Sequence, residues 1–326
     1  MLTLPDSWVW DFWTADDGEQ YHLFFLYASR ALHDPEARHH RASVGHAVSH
    51  DLVTWRRVAD ALVRSDAPAY DDLATWTGSV VRHPDGTWFC FYTGSTLTPA
   101  GNVQRIAYAT SRDLVTWHKG PGNPVLEADP RWYERLVDGQ WHDEAFRDPW
   151  VLPDPHGDGW HMLVTARADH GPADDRGVVG HAWSPDLRRW EARPPLTAPG
   201  QGFGQLEVMQ VEVVDGRPVL LFSCLAQDAS AATRATGATG GVWAVPSGGL
   251  LGPFDVAAAY PLTDSRLYSG RLVRRREDGT WVLLAFHHDG PDGETFVGGV
   301  SDPMPVRWDG DRLVVEAAVP LGTGRG

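Results

Sequence analysis

A ten-residue phrase that recurs along the chain limits its fold more than any other feature. "SHDLVTWRRV" begins at Ser49, "TSRDLVTWHKG" at Thr110, and a degenerate copy, "WSPDLRRWEAR", at Trp183. Their tryptophans Trp55, Trp117 and Trp190 lie roughly 60 to 75 residues apart, too far for a solenoid and suited to a four-stranded propeller blade with long loops. Weaker counterparts, "PSGGLLGPFD" from Pro246 and "SDPMPVRWDG" from Ser301, bring the count to five. Each unit also holds an apolar hairpin, as in "HPDGTWFCFYTGS" and "EDGTWVLLAFHH", whose Asp-Gly tip supplies the positive φ that a tight turn needs. Helical periodicity is scarce. The expected fold is therefore all-β, a five-bladed β-propeller with four-stranded antiparallel blades, built by residues 1–326 as one domain. A β-sandwich is the competing all-β arrangement, but sandwiches do not repeat a strand-end phrase at this period.

The strand ahead of each hairpin turn should line the central channel. The five candidates are "WVWDFW" (Trp8 to Trp13), "TWTGSVV" (Thr75 to Val81), "FRDPWVL" (Phe146 to Leu152), "QLEVMQV" (Gln205 to Val211) and "LYSGRLV" (Leu267 to Val273). Three carry an acid at the corresponding place: Asp11, Asp148 and Glu207. A radial array brings these strand starts together, and crowded carboxylates resist ionising, so such a group implies a chemical use. Strand polarity puts the second-to-third-strand loops on the same face. They include "SRALHDPEARHH", "STLTPAGN", "ARADHGPADDRG" and "HHDGPDG", read as long, against short turns on the other face. The Ala/Thr/Gly run Ala226 to Gly241 is apolar-poor and expected to be a mobile rim loop. The phrase acids Asp51, Asp113 and Asp186 are read as turn caps.

Composition narrows the partner. A net charge of −15 argues against nucleic acid and anionic membranes, which need clustered Lys and Arg. Sixteen Trp exceed ordinary usage; most should be core, the rest flat platforms for sugar C–H faces. No apolar run is long enough for a transmembrane helix. Cys90 and Cys224 read as buried free thiols. The first residues show neither a basic stretch nor an apolar segment, so the expectation is a cytoplasmic protein, or a secreted one if a leader was trimmed.

Two carboxylates flanking an acetal are the minimum machinery for cleaving a glycosidic bond, and a third can hold sugar hydroxyls. Trp10, Phe12, Trp13, Trp76 and Trp150 suit sugar stacking and would desolvate one carboxyl. Arg147 beside Asp148 should keep that acid ionised, whereas Glu207, between Leu206 and Val208, has no adjacent cation and is the better proton donor. Glu212 on the same segment is the rival for that role. Trp10, Trp76, Ser79, Arg147 and Tyr268 are candidate sugar contacts; for Trp76 core packing at a blade interface is the plainer reading, and for Tyr268 the two readings stand level. His287 and His288 alternate faces and do not make a shared metal site, and "GQGFG" from Gly200 is followed by no helix to hold a phosphate. No metal or cofactor is expected; the expected partner is an oligosaccharide or polysaccharide.

Taken together, "WVWDFW", "WTGS", "FRDP", the Glu of "LEVMQ" and the blade-closing "AYATSRDLVTW" resemble the five-bladed glycoside hydrolases of families 32 and 68, the β-fructofuranosidases and fructosyltransferases, and more distantly family 43. The resemblance implies a retaining hydrolase of fructofuranosides, or a fructosyl transferase, with Asp11 as nucleophile, Glu207 as acid/base and Asp148 as transition-state stabiliser. Trp-Asp-Phe-Trp stands where family 32 usually has Asn-Asp-Pro-Asn and is nearer the Trp-Asp-Ser-Trp of family 68; Glu-Val replaces Glu-Cys. The C-terminal β-sandwich typical of family 32 is not expected. The alternatives are an inverting arabinofuranosidase or xylosidase like those of family 43, and a non-catalytic sugar-binding propeller.

Overall fold

The computed structural model describes residues 1–290 and 296–316. Five four-stranded antiparallel sheets follow one another, each ordered inner to outer as the chain runs. Their inner strands are Ser7–Asp16, Ala74–Arg82, Phe146–Pro153, Glu207–Val214 and Leu267–Arg274. Each touches the inner strand of the next blade, and the fifth returns to the first, so the ring closes. This is the five-bladed propeller expected from the repeat. Five buried clusters match five seams between blades: Phe89, Phe91 and Ile106 pack with Met162 and Val164, for example, and Val9, Phe12 and Leu23 with Val273, Val282 and Leu284. Flat β-branched and aromatic faces stacked in this way remove apolar area from water at about 25 cal/mol per Å². At the closing seam Leu2 and Val300 exchange two backbone hydrogen bonds of 2.9 Å.

The repeated phrase is a turn built three times. Asp51 Oδ1 accepts from the N–H groups of Val53 and Thr54 at 2.9 and 2.7 Å, and Asp113 repeats this with Val115 and Thr116. Asp186 does the same with Arg188 and Arg189, both at 2.9 Å. The next residue, Leu52, Leu114 or Leu187, is buried with φ of 61–63°, a left-handed conformation costing a non-glycine residue about 1–2 kcal/mol. The tryptophan then donates its indole N–H to that leucine's carbonyl at 3.0–3.2 Å. Capping, leucine burial and the indole bond together offset the strain, which explains why Asp-Leu-x-x-Trp recurs as a unit.

Two loop expectations are corrected. "STLTPAGN" is not a long loop: strands Trp88–Thr98 and Gly101–Ser111 pair to their tips, Thr98 opposite Gly101. The run from Ala226 is ordered, with a 3-10 turn Ala226–Asp228 and a short helix Ala231–Ala235 capped by Ser230. Its low apolar content is compensated by polar anchoring: Ala231 N–H donates to Asp174 Oδ2 at 2.8 Å and Gly204 N–H to the Asp228 carbonyl at 2.7 Å. Part of "HHDGPDG" lies outside the described residues. Cys90 and Cys224 are buried free thiols, as read from the sequence.

Candidate active site

Every inner strand carries a β-bulge at the same height. Pairing with the second strand slips between Val9 and Phe12, Trp76 and Gly78, Arg147 and Trp150, Glu207 and Gln210, and Tyr268 and Arg271. A bulge adds one residue to one strand and re-aims the local side chains, here toward the channel axis. Asp148, Val208 and Ser269 enter their bulges with φ of 58, 51 and 51°. The amide groups released from the ladder are caught by side chains. Asp148 N–H donates to Thr93 Oγ1 and Ser269 N–H to Ser223 Oγ, both at 2.9 Å, and Val208 N–H to Asp148 Oδ2 at 3.2 Å. Buried donors left unpaired here would each cost about 1–3 kcal/mol.

The bulges correct the expected register of the acids. Glu207 is the last regularly paired residue before its bulge, whereas Asp148 is the first residue inside its own and Asp11 lies two past Val9, the last regularly paired residue before the first bulge. The three acids thus occupy three successive bulge positions, and they still converge. Asp11, Asp148 and Glu207 all line one cavity of about 690 Å³ at the channel mouth, with Trp10, Trp76, Arg147 and Tyr268 in its wall. That volume is typical of small-ligand sites. Glu212 pairs with Val219 further down the strand and is not in the wall, so it is no rival to Glu207.

Of the aromatics, Trp10 and Trp76 reach the cavity; Trp76 is fixed by its indole N–H donating to the His39 carbonyl at 2.7 Å. Phe12 and Trp13 are fully buried core, and Trp150 lies over the Arg271 guanidinium instead. Ser79 is also outside the wall. Its hydroxyl is buried and accepts from Val151 N–H at 3.2 Å, because it falls on the second regular position after its bulge. His288 lines the cavity and bonds Asp289, while the described residues hold no cluster of three or more metal-ligating side chains.

The electrostatics overturn the sequence pairing of Arg147. Its Nη2 donates to Glu207 Oε1 at 2.8 Å and to Gln205 Oε1 at 2.5 Å, whereas its approach to Asp148 is Nε to Oδ2 at 3.6 Å. Neighbours in sequence diverge at the bulge, and Glu207 from the next blade takes the guanidinium. Glu207 therefore has a direct cation, and its Oε2 also accepts from the Tyr268 hydroxyl. Burial alone would lower the Arg147 guanidinium, but Asp143, Glu207 and Asp148 together raise it. Asp148 is pushed up to about 7 by burial first, with Asp11 and Glu207 adding to it against Arg147. Burial likewise raises the Asp11 carboxyl, and the Ser269 and Thr77 hydroxyls, each donating to it at 2.5 Å, offset part of that rise.

Thr77, Ser269, Asp228 and Arg271 were not found from the sequence, whereas the rim segment Arg38 to His40, which the sequence offers as a candidate substrate contact, does line the cavity. Ser269 had a signal, since it occupies the same bulge position as Asp148. Asp228 did not, because the segment carrying it lacks any apolar pattern.

An acid-floored, aromatic-walled cavity at the mouth of a five-bladed propeller is the form taken by enzymes that act on glycosides. The chain belongs to glycosyl hydrolase family 32: the family's N-terminal domain matches residues 14–244, a span that takes in Asp148 and Glu207 and begins three residues after Asp11. It is 40% identical over 114 residues to acid beta-fructofuranosidase 4, vacuolar, of Arabidopsis thaliana, covering 34% of this chain and 16% of that protein. With the sucrose:sucrose 1-fructosyltransferase of Festuca arundinacea it shares 31% identity over 204 residues, 61% of this chain and 28% of that one. The chain thus spans less than a third of these curated relatives. In fold it is similar to an inulosucrase from Halalkalicoccus jeotgali bound to kestose, with a TM-score of 0.76, 23% identity and coverage of 96% and 87%. Bacillus subtilis levansucrase gives a TM-score of 0.74 at 14% identity over the same shares. The match to plant acid enzymes, one of them named as vacuolar, overturns the cytoplasmic expectation, which rested only on the composition of the first residues.

Proposed function

We propose that the chain is a β-fructofuranosidase-like enzyme that releases or transfers a fructofuranosyl unit by double displacement. The observation that carries this reading is the convergence of Asp11, Asp148 and Glu207, from three different blades, on one cavity walled by Trp10 and Trp76. In the first step the Asp11 carboxylate attacks the anomeric carbon while Glu207 gives its proton to the departing glycosidic oxygen. In the second, Glu207 takes a proton from water, which attacks the same carbon and frees Asp11. A sugar hydroxyl in place of water gives transfer instead.

Exposure supports this division of roles. A proton donor must exchange with solvent in each cycle, and the Glu207 side chain is 17% exposed against 3% for Asp148. Asp148 Oδ2 already accepts from Thr165 Oγ1 at 2.9 Å and Val208 N–H at 3.2 Å, so this acid is fixed in the floor, placed to hold sugar hydroxyls. Arg147 and Tyr268 orient Glu207, and Trp10 and Trp76 offer apolar faces to the sugar. The test is a panel of sucrose, kestose, inulin, levan and nitrophenyl arabinofuranoside, with NMR of the first-formed anomer and with Asp11→Asn and Glu207→Gln as controls. Fructose released with retention, and lost by at least 10³-fold in both variants, is expected. Full activity of Asp11→Asn, or action on the arabinoside alone, refutes the reading.

A further inference from the structure

Beneath the three acids sits a second arginine that the double-displacement reading leaves unused. Arg271 closes the fifth bulge and is 1% exposed. Its Nη1 donates to the carbonyls of Val208 and Met209 at 3.0 and 2.7 Å, both inside the fourth bulge. Its Nε donates to the Phe12 carbonyl at 3.3 Å, at the end of the first bulge. Its Cζ lies 5.3 Å from the Trp150 ring centroid, and Nη2 is buried with no partner among the described residues. One side chain thus ties together the bulges that aim Asp11 and Glu207.

Stability alone does not account for this residue. A buried cation with an unpaired N–H carries a desolvation cost, and apolar replacement of buried charges is often neutral or favourable. Charge balance does. Arg147 is committed to Glu207, Gln205 and Gln104, and among the described residues Asp11 makes no ion pair within 4 Å. The charged groups acting on Asp11 are Glu207 and Asp148 of the fourth and third blades, Arg38 of the rim loop above, and Arg271 of the fifth blade. Thr77 of the second blade contributes a hydroxyl only. Of the two cations, Arg38 is turned to Glu36 and stacked on Phe296. Among the described residues Arg271 has no carboxylate in an ion pair with it, and Asp148 and Asp11 are the anions that oppose its loss of charge on burial.

We propose that Arg271 is a positioning residue for the reaction: it clamps the first and fourth bulges from below and supplies the positive charge that balances the Asp11 nucleophile. The proposal rests on the Asp11 reading above. Two variants separate its charge from its fork: Arg271→Met removes both, and Arg271→Lys keeps the charge while losing the three-carbonyl clamp. Removing a cation favours the neutral carboxyl, so the acidic limb of kcat/KM against pH should move upward in Arg271→Met. A shift of one pH unit lowers kcat/KM about tenfold on that limb. Arg271→Lys should keep the limb in its wild-type position while kcat falls at every pH and KM changes little. If the lysine variant shifts its limb as far as the methionine variant, or if a folded Arg271→Met keeps both limb and kcat, the proposal is wrong. If Arg271→Met does not fold, the lysine variant alone decides, by the position of its limb. Asp11→Asn, run beside them on sucrose, tells the two ideas apart: an active Asp11→Asn sinks the nucleophile reading, whereas an inactive one with an unmoved Arg271 limb sinks only the positioning role.

Discussion

Asp148 should cost the protein stability at neutral pH, and replacing it with asparagine should recover that stability while abolishing turnover. The carboxyl titrates at about 7 in the fold against 3.8 for the ordinary group, chiefly because it is buried. The native state therefore holds a proton that the unfolded chain gives up. The stabilisation belonging to the neutral acid is complete below pH 4 and is lost as pH rises toward 7. The difference of about 3 pH units corresponds to about 4 kcal/mol once both states are ionised. Asparagine keeps the acceptor for Thr165 and Val208, adds no charge, and accepts the left-handed backbone at φ 58° more readily than most residues. Urea and thermal unfolding of both proteins from pH 4 to pH 8 measure the difference directly. The Asp148→Asn variant should match wild type near pH 4 and exceed it progressively above, reaching a gain of about 8 °C at pH 8 if each kcal/mol is worth about 2 °C. A gain independent of pH, or no gain at pH 8, would refute the reasoning.

Tyr268→Phe removes the hydroxyl that donates to Glu207 Oε2 and should lower kcat by about 10-fold with little change in KM, as a lost buried hydrogen bond implies; an unchanged kcat in steady-state assays on sucrose would exclude a role in orienting Glu207. Asp113→Ala deletes two backbone caps under a left-handed leucine and should cost about 1–2 kcal/mol in urea unfolding, with kcat preserved because the turn lies at the outer edge of its blade.

Blade number and strand order were legible because the first three blades end in the same strained turn, for which Asp-Leu-x-x-Trp supplies the cap, the buried leucine and the indole donor together, and all five repeat the apolar hairpin ahead of it. The membership of the acid cluster was also legible, since all three lie on strands that must line the channel. Their exact placement was not. A bulge is set by how five sheets crowd around an axis, and no local residue pattern in "WVWDFW", "FRDP" and "LEVMQ" announces which position slips. The same slip sent Arg147 away from its sequence neighbour and toward Glu207 in the next blade, so a proton-donor argument built on adjacency failed while the residue it favoured still reached the cavity. Ser79 failed for the related reason that the bulge ahead of it shifts which face the residues that follow present. Arg271 was invisible because its partners are backbone carbonyls, which leave no mark in composition.

The Leu2–Val300 exchange closes the circle at the junction between the first and fifth blades, the junction that Asp11 and Ser269 also span. Asp11 and the hydroxyl that holds it are thus the two lips of the clasp. Any breathing of the ring at this point separates them first, while Asp148 and Glu207, on adjoining blades across the channel, stay joined through Val208 and Arg147. Warming the protein should silence it before it melts, with turnover lost at the clasp while four blade interfaces are still shut.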